Sequence, residues 1–108
     1  MFRVKMYDLA NKLPDFEKYN SASQIKRAAV SLTNNIVEGH GRYYYQENIQ
    51  FCRIARGSLE ELLDDLNVCL DEAYFDKSYI ENLKEDGFNV LKKINGYIKY
   101  LENRKESG

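Results

Sequence analysis

The residues best placed to do chemistry are cations and tyrosines gathered in one stretch of the chain. Lys26, Arg27, Arg42, Arg53 and Arg56 fall within it, with Tyr43, Tyr44 and Tyr45 directly after Arg42. Guanidinium and ammonium groups bind phosphate oxygens, and phenol and guanidinium planes stack on unpaired bases, so this mixture suits nucleic acid. Each residue also has a plainer reading. A surface arginine pairs with a neighbouring carboxylate for about 0–1 kcal/mol, and a tyrosine run staples a helix start or fills a subunit contact. Other chemistries find little support. His40 is the single histidine and has no cysteine or second histidine at ligand spacing, so no metal site is expected. Glu60–Glu61 and Asp64–Asp65 diverge around a helix, and no Glu-x-x-His pair of the di-iron bundles occurs. No glycine-rich phosphate loop or nucleophile–base pattern stands out, so neither a catalytic residue nor a cofactor is expected.

These side chains need helices to position them. The chain has 108 residues, one proline and a 44% hydrophobic content, enough for one domain with its own core. Apolar spacing marks four helices. The first runs from Phe2 to Leu13 on Phe2, Met6, Leu9 and Leu13, and stops at Pro14. A polar connection, Asp15 to Asn20, follows. Ser21 or Ser23 then caps the second helix, with Gln24 completing a capping box. That helix carries Ile25, Ala28, Ala29, Leu32 and Ile36, and Gly39 and Gly41 are suited to close it in the left-handed conformation. The third extends from Tyr45 to Ala73 and the fourth from Lys77 to Asn103, with Gly87 and Gly96 marking close contacts or bends. Residues 1–103 thus read as a single domain and 104–108 as a frayed tail.

Short loops make neighbouring helices antiparallel, so the fold class is all-α: an up-down-up-down four-helix bundle. The first helix is much shorter than the third and fourth, which leaves core near the chain start open unless another subunit covers it. With nine tyrosines in a small chain, that mismatch points to a homo-oligomer. Cys52 and Cys69 share the third helix about 25 Å apart, too far to bridge, and two buried thiols suit a reducing cytoplasm. No apolar run approaches a bilayer span and no signal-peptide pattern opens the chain, so no membrane role is expected.

Net charge is −1, but it is unevenly spread. Through Ser58 there are nine basic and five acidic residues; from Leu59 onward there are seven basic and twelve acidic. Every charged residue between Glu60 and Asp76 is acidic. Acids at a helix C-terminus oppose the helix dipole by a few tenths of a kcal/mol each, so local helix stability does not explain them. Folding about the elbow from Gly39 to Tyr44 sets Arg27 level with Arg56 and Val30 level with Arg53. Lys26, Arg27, Arg53 and Arg56 then form a basic waist. Arg3, Lys5, Arg42, Lys99, Arg104 and Lys105 gather at one end of the bundle, opposite an acidic end. Asn35 and Glu38, polar near the core face of the second helix, suit a structural role at the elbow.

Three blocks, QIKRAAVS from Gln24, NIVEGHGR from Asn35 and ARGSLEEL from Ala55, together resemble the bacterial 23S rRNA intervening-sequence proteins, sometimes labelled ribosomal proteins. The similarity is clear from about Leu13 to Leu70. The resemblance implies an antiparallel four-helix bundle assembled into a ring, typically a pentamer. Many relatives are encoded within insertions in 23S rRNA genes, and a related accessory protein of retroelements binds nucleic acid and a reverse transcriptase through a basic ring surface. It implies a non-enzymatic protein that associates with RNA or other nucleic acid through Lys26, Arg27, Arg42 and Arg56, to which the waist adds Arg53. The rival reading is a scaffold that docks another protein without touching RNA. The family's structural polar pattern falls on Asn35, Glu38, Gly39, Ser58 and Glu61, with Gly41 beside it in the elbow. Two departures stand out. The first helix is short and lacks an aromatic near its start, and Tyr44 and Gln46 replace a small hydroxyl residue and a lysine.

Overall fold

The computed structural model describes residues 1–15 and 21–107. Four helices pack as a bundle: α1 (Phe2–Asn11), α2 (Ser23–His40), α3 (Tyr45–Asp71) and α4 (Lys77–Ser107). At about 1.5 Å per residue α4 is the longest rod and sets the long axis of a body measuring 51 × 24 × 18 Å. The α2–α3 and α3–α4 seams are extensive, and α1 lies on α2 with a smaller contact to α4. One apolar stripe per helix turns inward, with Met6 and Leu9 from α1, Ile25 and Ala29 from α2, Leu59, Leu62 and Leu66 from α3, and Ile80 and Leu101 from α4. Each large aliphatic side chain so buried contributes about 1.5–3 kcal/mol. Cys52 and Cys69 are free thiols buried in α3.

Several ends differ from the sequence expectation. Helix α1 ends at Asn11 instead of Leu13, and α3 ends at Asp71 instead of Ala73. Helix α4 continues past Asn103 to Ser107. The polar connection expected from Asp15 to Asn20 lies, beyond Asp15, outside the described residues. The residue at the cap position of α2 is Ala22, where Ser21 or Ser23 was expected; it is itself helical and makes no side-chain cap bond, and the chain enters through one wider turn at Ser21–Ala22.

The glycines at the elbow act differently from the reading as left-handed closers. None of the described glycines has a positive φ, and Gly41 ends α2 at φ −79°. Gly39 is instead a point of close approach. A Cβ there would stand 2.6 Å from Asn48 Oδ1 and 3.1 Å from Phe51 Cβ. Gly87 does the same for α1 and α3, where a Cβ would meet Leu63 Cδ2 at 2.8 Å and Phe2 Cζ at 3.2 Å.

The left-handed position is at the other end of the bundle. Ala73 has φ 54°, its N–H bonds to Leu70 O and the Tyr74 N–H bonds back to Cys69 O. That is the paired-bond helix stop usually made by glycine, built here on alanine. Ala73→Gly should therefore stabilise the protein by about 0.5–1 kcal/mol. Gly39→Ala should destabilise it by about 1–3 kcal/mol through overpacking. Urea denaturation followed by circular dichroism measures both.

Candidate nucleic-acid interface

Cross-helix contacts set which cations meet. Ser58 Oγ lies 2.8 Å from Ser31 Oγ, and Gly39 abuts Asn48. One turn before Ser31 and one turn after Ser58, Arg27 comes level with Leu62 and its neighbour Glu61. Arg56 lies instead across from the turn following Ser31. The expected levelling of Arg27 with Arg56 and of Val30 with Arg53 is therefore wrong by more than a helical turn. The chain folds back about a point near Tyr44, two to three residues later than the sequence suggested.

The five cations consequently divide among three places. Lys26 is at the α1–α2 seam with its ammonium 5.8 Å from the centre of the Tyr7 ring. Arg27 beside it is exposed and holds no ion pair among the described residues. Arg53 and Arg56 belong to the α3–α4 seam. Arg53 Nη2 is 3.6 Å from Glu102 Oε1, and Arg56 Nη1 donates to Asn95 Oδ1 at 3.0 Å, with Glu60 3.9 Å from its Nε. Arg42 is at the elbow, 3.3 Å from Glu38 and stacked over the Phe51 ring at 4.7 Å. The structure does not join these groups into one continuous belt. Nor do Arg3 and Lys5 reach the elbow end, because α1 is short: Lys5 Nζ meets Asp86 Oδ2 at 2.6 Å, partway along α4.

The elbow itself is the most exposed mixture of cation and aromatic. Tyr43 is 90% exposed and Tyr44 64%, their rings meeting edge to face at 5.0 Å. Lys105 of α4 bonds Gln46 Oε1 at 2.5 Å, and the neighbouring Tyr45 phenol raises the already high pKa of Arg104. The elbow end of α3 is thus fastened to the final turns of α4, the segment expected to be a tail.

The motif polar residues are mostly occupied with one another. Asn35 Nδ2 donates to Ser31 O at 2.8 Å and lies 3.1 Å from Ser31 Oγ, so Asn35, Ser31 and Ser58 form one chain across the α2–α3 seam. Glu38 holds Arg42, and the Gly41 N–H caps carbonyls of α2. Glu61 is exposed.

Two polar groups escaped the sequence reading. Asn48 is 7% exposed and sits on the apolar stripe of α3. Its Nδ2 donates to Tyr97 Oη at 3.0 Å, and its Oδ1 lies 3.5 Å from Cys52 Sγ. Tyr97 Oη is in turn 3.4 Å from His40 Nδ1, with the two rings stacked at 5.0 Å. An asparagine on an apolar stripe was the available signal. Burial pushes the Cys52 thiol pKa up, which keeps it protonated and unreactive.

The other missed group is Asp65. Its partner in sequence, Asp64, faces water, but Asp65 turns toward a cavity of about 320 Å³ bounded by Leu13, Ile25, Val68 and Tyr74. Its Oδ2 is buried without a hydrogen-bond partner. Burial, then the charges of Glu61 and Asp64, push its pKa up to about 6.

Among family models, the one described as 23S rRNA-intervening sequence protein matches residues 1–96. The match takes in α1 and most of α4, well beyond the stretch of clear resemblance noted from Leu13 to Leu70. No curated protein matches the chain.

The carboxyl of Asp65 gives a signed pH dependence. Its folded pKa lies above the unfolded one, so the folded state holds an extra proton between about pH 4 and 6. Stability from this group falls as pH rises through that window and is level above it. Asp65→Asn should remove the slope and raise stability at pH 7 by about 1 kcal/mol, since the side chain keeps part of its contact with water. Urea titrations of both proteins at pH 4.5 and 7 give the comparison.

Proposed function

The chain belongs to the 23S rRNA-intervening sequence protein family, and on that premise we propose a non-enzymatic homo-oligomer that associates with structured RNA in the cytoplasm. In this reading the subunit is an antiparallel up-down-up-down bundle and the assembly is a ring, a pentamer by the resemblance. Lys26, Arg27, Arg42, Arg53 and Arg56 supply the phosphate contacts. The elbow tyrosines stack on unpaired bases.

The observation that carries this is the elbow, where Arg42, Tyr43 and Tyr44 stand in solvent together. Aromatic faces so exposed gain little in the free protein. Stacking a base on one is worth about 1–3 kcal/mol. The ion pairs of Arg42, Arg53 and Arg56 do not argue against it, because pairs with both side chains this exposed are worth about 0–1 kcal/mol and yield readily to phosphate. Arg27 has no ion pair to give up among the described residues. Antiparallel order is supported by contacts that run in opposite numbering along each seam: Ser31 with Ser58 and Gly39 with Asn48, then Asn48 with Tyr97 and Leu63 with Gly87. Subunit contacts are supported by apolar side chains left on outer faces, namely Val4, Ile54, Val68 and Phe88.

Binding of a fluorescent rRNA hairpin should weaken steeply with salt, with a log–log slope of about −0.7 to −0.9 for each phosphate contact. Arg27→Ala with Arg56→Ala should reduce it while circular dichroism remains unchanged. Affinity that is indifferent to salt, or that survives both substitutions, removes the RNA role. A co-purifying protein bound to an RNA-free assembly supports the scaffold reading instead. Light scattering should give a mass several times 12.7 kDa. A monomer would remove the ring.

A further inference from the structure

Among the described residues, nothing in the subunit accounts for two of its mid-helix glycines. Gly39 and Gly87 each leave room for a packed neighbour, but a Cβ at Gly57 on α3 or at Gly96 on α4 would meet nothing within 4 Å. Each weakens its helix relative to alanine. Both are exposed, so the close backbone approach that glycine permits is open there only to something outside the fold.

Each glycine lies on an outward stripe, and the two stripes differ in character. On α3, Ile54, Gly57, Glu61, Asp64 and Val68 recur at spacings of three and four, and all are exposed. Glu61 and Asp64 hold no ion pair among the described residues. On α4 the exposed stripe is Phe88, Lys92, Gly96, Lys99 and Asn103. Every charged residue between Gly87 and Leu101 is a lysine. One face is thus apolar and acidic, the other basic, with a bare glycine in each.

The stripes also stand at one height. Arg56 donates to Asn95 across the α3–α4 seam at 3.0 Å, and Gly57 and Gly96 directly follow these two residues. In helices of opposite direction, one turn onward on α3 and one turn back on α4 bring Glu61 level with Lys92. Nearly a turn the other way brings Ile54 level with Lys99.

We propose that the outward face of α3 packs on the outward face of α4 of a second copy, the backbones crossing closest at Gly57 and Gly96. This rests on the homo-oligomeric, antiparallel reading above and names the surfaces that the assembly uses. Glu61 pairs with Lys92 of the neighbouring copy, and the aliphatic stem of that copy's Lys99 covers Ile54. The contact is head-to-tail, because its two halves are different faces. Equal height means that copies are related by rotation about an axis along the bundle, with no step along it, so the series closes into a ring instead of growing as a filament. Packing α3 on α3 would oppose like acids, and the same acids repel nucleic acid from this face.

Gly57→Gln and Gly96→Gln each place a helix-favouring side chain where the subunit leaves open space. Light scattering should show each variant as a 12.7 kDa monomer with unchanged circular dichroism, against several times that mass for the original protein. Glu61→Lys should raise the concentration needed for assembly by about tenfold, and Lys92→Glu added to it should recover most of the loss. An oligomer that keeps its mass in both glutamine variants overturns this interface and leaves the ring reading standing. A monomeric original protein overturns both. Loss of assembly in only one glutamine variant, or no recovery on adding Lys92→Glu, overturns the pairing of α3 with α4. The charge variants carry the test alone if glutamine at either position unfolds the subunit.

Discussion

Asn48 is the point at which three helices are held to one another. Its amide donates to Tyr97 on α4, its carbonyl oxygen lies by Cys52 on its own helix, and Gly39 of α2 comes close enough to exclude any side chain. Leaving such a buried amide without partners costs about 1–3 kcal/mol, so the bundle is stable only in the register that satisfies it. Apolar stripes alone would tolerate sliding by a turn, because one leucine replaces another. A polar group with one acceptor in reach does not tolerate it. The chain of Asn35, Ser31 and Ser58 repeats the constraint about two turns further along the same seam.

That register decides the electrostatics. With Ser31 held at Ser58, Arg27 comes level with the start of the acidic run and Arg56 turns toward Asn95 on α4. The cations are dispersed to separate seams and the elbow, so the field of one subunit is a set of local positive points on a molecule of net charge −1. Repetition around a ring is one way to restore a continuous positive surface. The same register sets Asp65 at the cavity wall, where burial and then an acidic neighbourhood favour its protonated form.

The four helices were legible because each carries a 3.6-residue stripe of Leu, Ile and Ala, and the one proline falls at the first boundary. Their level was not, because it depends on the elbow. Gly39 and Gly41 suggested a left-handed stop, but glycine serves equally where two backbones approach, and only the neighbour across the gap distinguishes the two. The left-handed residue is Ala73, whose type carries no such signal. Arg53, Arg56 and Arg42 were correctly placed near the surface, while their carboxylate partners belonged to helices whose register was unknown. Asn48 and Asp65 interrupt or flank apolar stripes, a visible anomaly whose meaning depends on what faces it. The exposed Tyr43 and Tyr44 were legible as a cluster, and the clear resemblance spanned only part of the region that the family match covers.

The bundle is four helices thick where α1 lies and three where it does not. A three-layer segment buries less apolar surface, so something other than packing must fix the far end of α4. The structure supplies polar ties there: Asn48 with Tyr97, Tyr97 with His40 and Lys105 with Gln46. Each such bond is modest, about 0.5–1.5 kcal/mol net, but none needs a fourth helix to complete it. They hold α2, α3 and α4 together at the end of the bundle away from Ala73.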